Sequence, residues 1–375
     1  MKIGILTITP NIGYGGIMQA YALQSVLSQE GHDVWIINNR TKTRGVRFLM
    51  RVVKRTLQKF FLKKDIAIFI SNEYLVRSQF TQPFIDRYMH LTEVCYTSRD
   101  LRNLCKNNGF ELLVVGSDQV WRPKYVSNIE DYFFSFAASF DNIKKIAYAA
   151  SFGVDEWEYT EQESFKCSQL IRKFSAVSVR EDSAVSLVNN NLQFEAIRVL
   201  DPTLLLNKSY YIKLVQDAAC NLSVVNDVFT YILDMTEDKM DLVKQVTSVF
   251  SCEATHFNTN AENKNAPLKE RVAPPVESWL NGFKEAKYIV TDSFHGCAFS
   301  IIFNKPFYIY GNKKRGLARF SSLLKMLNLE DRLILDSKSL TSEMIVKKID
   351  WDHVNSILGN ESDKALAFLR RAMEV

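Results

Sequence analysis

Four short stretches of this 375-residue chain place glycine or polar residues where an apolar run gives way to a helical pattern. In an open α/β sheet that is the position where backbone N–H groups meet a ligand. The stretch that reads most clearly as chemistry is "YIVTDSFHGCAFS". There Asp292 or Ser293 can cap a helix, Phe294 and His295 fall in its first turn, and Gly296 lets the backbone come close. An imidazole so placed has an anion-attracting helix N-terminus behind it and can donate a proton near neutral pH. A single histidine is more often structural than catalytic. Location separates His295 from His32, His90, His256 and His353, which lack that setting.

The other three stretches each admit a bland and a functional reading. In "NIGYGGIMQAYALQ", Gly13, Gly15 and Gly16 do not fit G-x-G-x-x-G, and the second apolar run ends in "IINNR" without a ribose-binding acid. Dinucleotide binding is therefore disfavoured. What remains is a turn needed for tight packing, or a backbone cradle for an anion or sugar that Gln19 could assist. In "VVGSDQVWRP", Gly116, Ser117, Asp118 and Gln119 precede Trp121 and Arg122. The group is either a buried hydrogen-bond network or a sugar site built from a stacking indole and hydroxyl-binding side chains. In "VSVREDSAV", Arg180 either pairs with neighbouring Glu181 or Asp182, or grips a carboxylate or phosphate with its planar fork.

The elements needed to position these residues are legible. Apolar runs at "KIGILTI", "DVWIIN", "ELLVVG", "KIAYAA", "AVSVR" and "IRVL" alternate with helical patterns, the sign of a mostly parallel sheet. The opening helix shows Ile17, Ala20, Tyr21, Gln24 and Leu27 on one face and stops at Gly31. After "LDPTLLLNKSYY" a second series begins at "DVFTYIL", with a helix around 237–249, "EATHFN", a polar loop at 259–275, a helix to Ala286, "KYIVTD", a helix from Ser293, "PFYIYG" and a helix around 318–328. The expected fold is α/β, two Rossmann-like doubly wound domains facing across a cleft. Residues 1–205 form the first, with a helical insertion at 41–109, residues 206–350 the second, and residues 351–375 closing helices.

Length and composition agree. The chain exceeds what one core normally supports, and 47% apolar with 24% charged residues describe a folded globular protein. The six cysteines, Cys95, Cys105, Cys167, Cys220, Cys252 and Cys297, stand singly, which suggests neither a disulfide framework nor a zinc site. The first apolar run is too short for a signal sequence or a span, so a cytoplasmic chain starting at Met1 is expected. The net charge of +5 is local: residues 40–64 carry ten basic side chains and no acid, and the remaining 37 basic against 42 acidic residues leave −5. Arg47, Arg51, Arg55, Lys59 and Lys63 recur every four residues, with Leu49, Val52, Val53, Leu57, Phe60 and Phe61 filling the rest. Such a helix suits an anionic membrane surface, or else is a solvated basic face on a helix packed against its own domain. No stacking or groove-reading module accompanies the charge, so nucleic acid is not expected as a partner.

Six ordered blocks, "YGGIMQAYALQ", "VVGSDQVW", "YAASFG", "VSVREDS", "LDPTLLL" and "VTDSFHGCAFSIIFNKPFYIY", resemble the polysaccharide pyruvyl transferase family from Lys2 to about Tyr310. The resemblance implies a fold similar to the GT-B glycosyltransferases. It also implies transfer of the carboxyvinyl carbons of phosphoenolpyruvate to two hydroxyls of a bacterial polysaccharide sugar, forming a ketal and releasing phosphate. In that reading Arg180, Ser293, Phe294 and Gly296 bind the donor, and His295 is the general acid. Asp118 or Asp292 accepts a proton. Gly13, Gly15, Gly16, Gln19, Ser117, Gln119, Trp121 and Arg122 hold the acceptor, a sugar or lipid-linked oligosaccharide at the inner membrane face. Phosphoenolpyruvate is a co-substrate, and neither cofactor nor metal is required. The chain departs from better-described members at Ser293, where those carry Arg two residues before the His. A nucleotide-sugar glycosyltransferase of the same fold and a non-catalytic sugar-binding homologue are the competing readings.

Overall fold

A computed structural model describes the chain except residues 42–45, 62–64, 219–221, 223–224, 258–259, 261–262, 264, 312–315 and 375. Lys42, Arg44, Lys63, Lys64, Cys220, the side chain of Arg47 and part of the polar loop at 259–275 thus lie outside the described residues.

The apolar runs form strands, the inner ones buried on both faces as a parallel sheet covered by crossover helices requires, and β2, β6 and β8 at sheet edges only partly buried. The first sheet contains β1 (Lys2–Leu6), β2 (Asp33–Ile36), β3 (Leu112–Val115), β4 (Lys144–Ala150), β5 (Ala176–Val179) and β6 (Ile197–Arg198), in the order β2-β1-β3-β4-β5-β6. The second contains β7 (Val228–Tyr231), β8 (Ala254–His256), β9 (Tyr288–Thr291), β10 (Phe307–Tyr310) and β11 (Leu333–Ile334), in the order β11-β10-β9-β7-β8. Every pairing between these strands is parallel. Each sheet therefore has the same winding, with its first strand between its second and third. The chain order reverses between β1 and β3 and between β7 and β9, and there the loops at the carboxyl ends part to leave a crevice. Register sets those ends level: Leu6 lies opposite Val115, and Tyr231 opposite Thr291.

The helices in chain order are α1 (Tyr14–Gln29), α2 (Val46–Phe60), α3 (Ile70–Ser78), α4 (Gln82–Tyr88), α5 (Ser98–Asn108), α6 (Glu161–Ile171), α7 (Asp182–Leu187), α8 (Lys208–Gln216), α9 (Glu237–Phe250), α10 (Val276–Glu285), α11 (Phe294–Ile302), α12 (Ala318–Met326), α13 (Ser342–Val346) and α14 (Trp351–Glu374). Helices α2 to α5 fill the insertion expected at 41–109. The carboxyl end after Trp351 is one helix rather than several. It returns to the first sheet, where the Lys144 ammonium donates to the Met373 carbonyl at 2.8 Å and Arg370 pairs with Glu30.

Two helices are buried on nearly all sides. The single apolar face expected on α1 extends to Met18, Gln19, Ala22, Leu23 and Val26 as well, and every residue of α11 is buried. Both run through the middle of the molecule, each covering its own sheet while its N-terminal turn faces the other half. Tyr14 marks the junction. Its ring stacks on Trp279 of α10 at 5.4 Å and its hydroxyl donates to the Pro274 carbonyl at 2.8 Å.

Candidate active site

A cavity of about 520 Å³ opens at the carboxyl ends of both sheets. Its walls come from the loops after β1 (Asn11 to Gly13), β3 (Asp118, Gln119), β7 (Leu233) and β9 (Asp292, Ser293), the four loops that flank the two crevices. The start of α11, Arg319 and Phe320 of α12, and Tyr74 and Arg77 of α3 complete it.

The glycines that open α1 meet His295. A Cβ built on Gly15 would lie 2.1 Å from His295 Nδ1, a separation no side chain can occupy. The absent side chain at position 15 is what lets the imidazole from the second sheet lie against the first turn of the helix. Gly16 has only Asp118 Oδ2 nearby, 3.7 Å from its would-be Cβ, and Gly13 has nothing within 4 Å. Gly13 also occupies the N-cap without a side-chain cap, so the first N–H groups of α1 are left facing the cavity.

His295 and Arg180 converge on a carboxylate of the protein itself. Arg180 Nη1 donates to Asp201 Oδ2 at 2.7 Å, and His295 Nε2 lies 3.6 Å from the same oxygen. Arg180 thus pairs with neither Glu181 nor Asp182. Glu181 Oε1 accepts from the Ser151 hydroxyl and from the N–H groups of Phe152 and Gly153, and Asp182 faces Arg198 at 3.4 Å. Burial alone would push Asp201 up, but His295 and Arg180 outweigh it and hold the carboxyl well below the ordinary range. The second guanidinium nitrogen, Nη2, stands 3.7 Å from Asp118 Oδ1. Asp118 itself adopts φ +71°, which turns its carboxylate toward α1 and accepts the Gln119 N–H at 2.8 Å. Arg180 lies just behind the cavity wall, which is formed by Asp118, Phe294 and His295.

Two arginines line the cavity, Arg77 and Arg319, and the sequence reading singled out neither. The Phe294 ring sits near two guanidiniums, with centroid distances of 4.6 Å to Arg180 and 5.7 Å to Arg319. Burial, and then the neighbouring Arg180, pull Arg319 down to about 10, so it stays charged at neutral pH in a place where a second cation is already costly. An anion entering the cavity relieves both effects.

Asp292 is differently held. Its oxygens accept from the Leu233 N–H and the Lys239 ammonium, each at 2.7 Å. Burial and the adjacent Asp234 push it up to about 6, against the opposing pull of Lys239. A carboxylate clamped from two sides is poorly placed to take a proton from a substrate. Asp118, whose side chain is partly open to the cavity, is the better placed of the two.

Several expected contacts are not made. Trp121 is fully buried in the first core, stacked on Phe133 at 4.9 Å with its indole N–H given to the Tyr132 carbonyl, because the chain turns inward at Val120. Arg122 forms a bidentate pair with Glu158 at 2.9 and 3.0 Å, away from the cavity. Ser117 and Gln19 form a buried brace: Gln19 Nε2 donates to Thr7 Oγ1 and the Gly16 carbonyl, its Oε1 accepts the Ser117 N–H, and Ser117 Oγ lies 3.2 Å from Asp201 Oδ2. They position the loops. Gly296 is required by packing, since a Cβ there would lie 2.1 Å from Thr291 Oγ1, and Ser293 Oγ accepts the Gly296 N–H as the helix cap. Tyr125, which the sequence reading did not single out, borders the cavity with its ring half exposed.

Solved structures share this architecture. Over 98% of this chain and 97% of the other, the fold superposes on UGT89C1 of Arabidopsis thaliana, a structure complexed with UDP-L-rhamnose, with a TM-score of 0.52 and 10% identity. It is similar to a glycosyltransferase from Rickettsia africae (TM-score 0.51, 10% identity, 100% and 97% covered) and to the UDP-GlcNAc 2-epimerase of Methanocaldococcus jannaschii (TM-score 0.51, 12% identity, 99% and 100% covered). The fold is therefore that of the GT-B-like two-sheet α/β proteins. No curated protein matches the sequence. Residues 14–314 match the polysaccharide pyruvyl transferase family, and the chain belongs to that family of transferases.

Proposed function

We propose that the chain moves the enolpyruvyl carbons of phosphoenolpyruvate onto two hydroxyls of a polysaccharide sugar, forming a cyclic ketal and releasing phosphate. The observation that carries this reading is the meeting of His295, Asp118 and Arg319 in one cavity at the switch points of both sheets. Phosphoenolpyruvate concentrates a carboxylate and a phosphate on three carbons. A buried guanidinium and two helix N-termini, those of α1 and α11, offer the fixed positive partners such a molecule needs.

His295, as the imidazolium, gives its proton to the vinyl CH2, and C2 becomes an oxocarbenium-like centre. A sugar hydroxyl attacks C2 and loses its proton to Asp118. The second hydroxyl displaces phosphate from C2, closing the ketal; its proton leaves with the phosphate. Asp201 Oδ2, 3.6 Å from His295 Nε2, fixes the orientation of the imidazole. The rim residues Tyr125 and Gln119 face the acceptor, with the ring as a stacking surface for sugar. We take the acceptor to be a lipid-linked oligosaccharide intermediate at the inner membrane face.

The test is to incubate the protein with phosphoenolpyruvate or with nucleotide sugars, together with candidate acceptors, and to follow what is released. Phosphate accompanied by a pyruvate ketal supports the proposal. Release of nucleoside diphosphate assigns the chain to the glycosyltransferase chemistry of the same fold, and acceptor binding without turnover assigns it to the non-catalytic reading.

A further inference from the structure

Helix α2 is built the wrong way round for a helix that serves only its own domain. Its inward contacts are polar: Arg55 pairs with Glu73 of α3 and donates from Nε to the Ala67 carbonyl at 2.8 Å, and Glu73 also receives Arg271 at 3.0 Å. Its apolar side chains face outward. Leu49 is 64% exposed, Phe60 65% and Phe61 78%, with Met50, Val53 and Leu57 between them also exposed. At 100° per residue Leu49, Val53, Leu57 and Phe60 share one side, and Lys54 and Lys59 stand on either side of it, both exposed.

The surface does not end with α2. Phe48 stacks on Phe69 at 6.4 Å, and Ile70, the next residue, is exposed and borders the cavity. An apolar band therefore runs from α2 over the start of α3 to the mouth of the candidate active site. Exposed contiguous apolar area of this extent marks an interaction surface.

We propose that α2 and the beginning of α3 dock on an anionic phospholipid bilayer, with the apolar band in the interface and the basic side chains among the head groups. Charge selects this occupant. Arg51, Lys54 and Lys59 of α2 are exposed, in a segment (residues 40–64) whose sequence holds ten basic residues and no acid, while the remainder of the chain carries −5, so an anionic surface attracts this segment and repels the rest. An apolar band beside a basic flank is the pattern of a helix lying in the plane of a membrane interface. Docked in this way, the molecule holds its cavity mouth at the bilayer surface. That consequence rests on the proposed function, since only there does a lipid-linked acceptor reside; the docking surface itself does not.

The experiment is co-sedimentation of the full chain with phosphatidylcholine vesicles, with and without phosphatidylglycerol, at low and high salt, in the absence of donor and acceptor. The expected result is binding only to the anionic vesicles, weakened by salt. Leu49→Asp with Val53→Asp and Leu57→Asp should weaken it at least about tenfold. Arg51→Glu with Lys54→Glu and Lys59→Glu should weaken it by on the order of a hundredfold, at roughly fivefold per basic residue removed. No sedimentation, binding that ignores lipid charge, or wild-type protein that instead self-associates through this face and is made monomeric by the aspartate variants would overturn the proposal. None of these outcomes bears on phosphate release from phosphoenolpyruvate, so the two readings fail separately.

Discussion

The Nδ1 atom of His295 occupies space that the Cβ of any other residue at position 15 would need, 2.1 Å from the point where that carbon would stand. One residue belongs to the first sheet's opening helix and the other to the second sheet's central helix, so this contact couples the two halves at the candidate active site. Gly15→Ala must displace the imidazole. We expect a loss of turnover of at least about tenfold and a stability cost of about 1–3 kcal/mol, as for other overpacked positions. Gly16→Ala, with its nearest neighbour at an ordinary 3.7 Å, should be tolerated. Steady-state rates and thermal melts of the pair check this.

Asp201 joins Arg180 to His295, and replacing it with Asn leaves both without their shared counter-charge. The expected cost is about 3–5 kcal/mol. The pH dependence has a definite sign. The folded protein holds Asp201 well below the usual carboxylate range, so below about pH 4 the unfolded chain binds more protons. The stability this carboxylate contributes is complete above its unfolded pKa and falls as the pH drops below it. Denaturant titrations between about pH 2 and 5 should show a steep fall for the wild type. The fall should be shallower for Asp201→Asn.

Arg319 lines the cavity beside the Phe294 ring. Arg319→Met should raise KM for phosphoenolpyruvate by roughly thirtyfold, the equivalent of about 2 kcal/mol for a charge-assisted hydrogen bond, with a smaller effect on kcat. An unchanged KM would place the donor elsewhere.

Asp118 and Asp292 should separate by their effects. Asp118→Asn should lower kcat by about 10²–10⁴-fold while the protein stays folded, as loss of a general base does. Asp292 is pushed up to about 6, so its contribution to stability is present at low pH and is lost as pH rises through that value. Asp292→Asn should therefore flatten the stability profile between about pH 4 and 6, measured by denaturant melts.

Much of this arrangement is legible in the order of residues. Strand-end positions follow from alternating apolar runs, and they locate Asp118, Asp292 and His295 on the cavity wall without any coordinates. Asp201 is less visible because its local role, accepting the Thr203 N–H as cap of a short turn, already accounts for an aspartate before Pro202. Only the packing of β5 beside β6 brings it under Arg180. Arg319 lies in an amphipathic helix, where an arginine is unremarked until the fold turns it inward. Trp121 misleads for the opposite reason: polar neighbours suggest an open loop, but Val120 and the indole plunge into the core. Trp121→Phe should accordingly change stability and leave KM for the acceptor unaltered.

The glycine stretch at the start of the chain illustrates the same limit. Its composition announces a close approach, and the partner, an imidazole far along the sequence, is set by the way two sheets are placed against one another.

The most direct test is turnover of His295→Asn with phosphoenolpyruvate and acceptor in heavy water, with mass analysis of the ketal. The wild type should place solvent deuterium in the product methyl group, and the variant, folded and still binding donor, should lose at least about a hundredfold in rate, as expected when a general acid is removed. A variant that forms deuterated ketal at the wild-type rate would contradict the account.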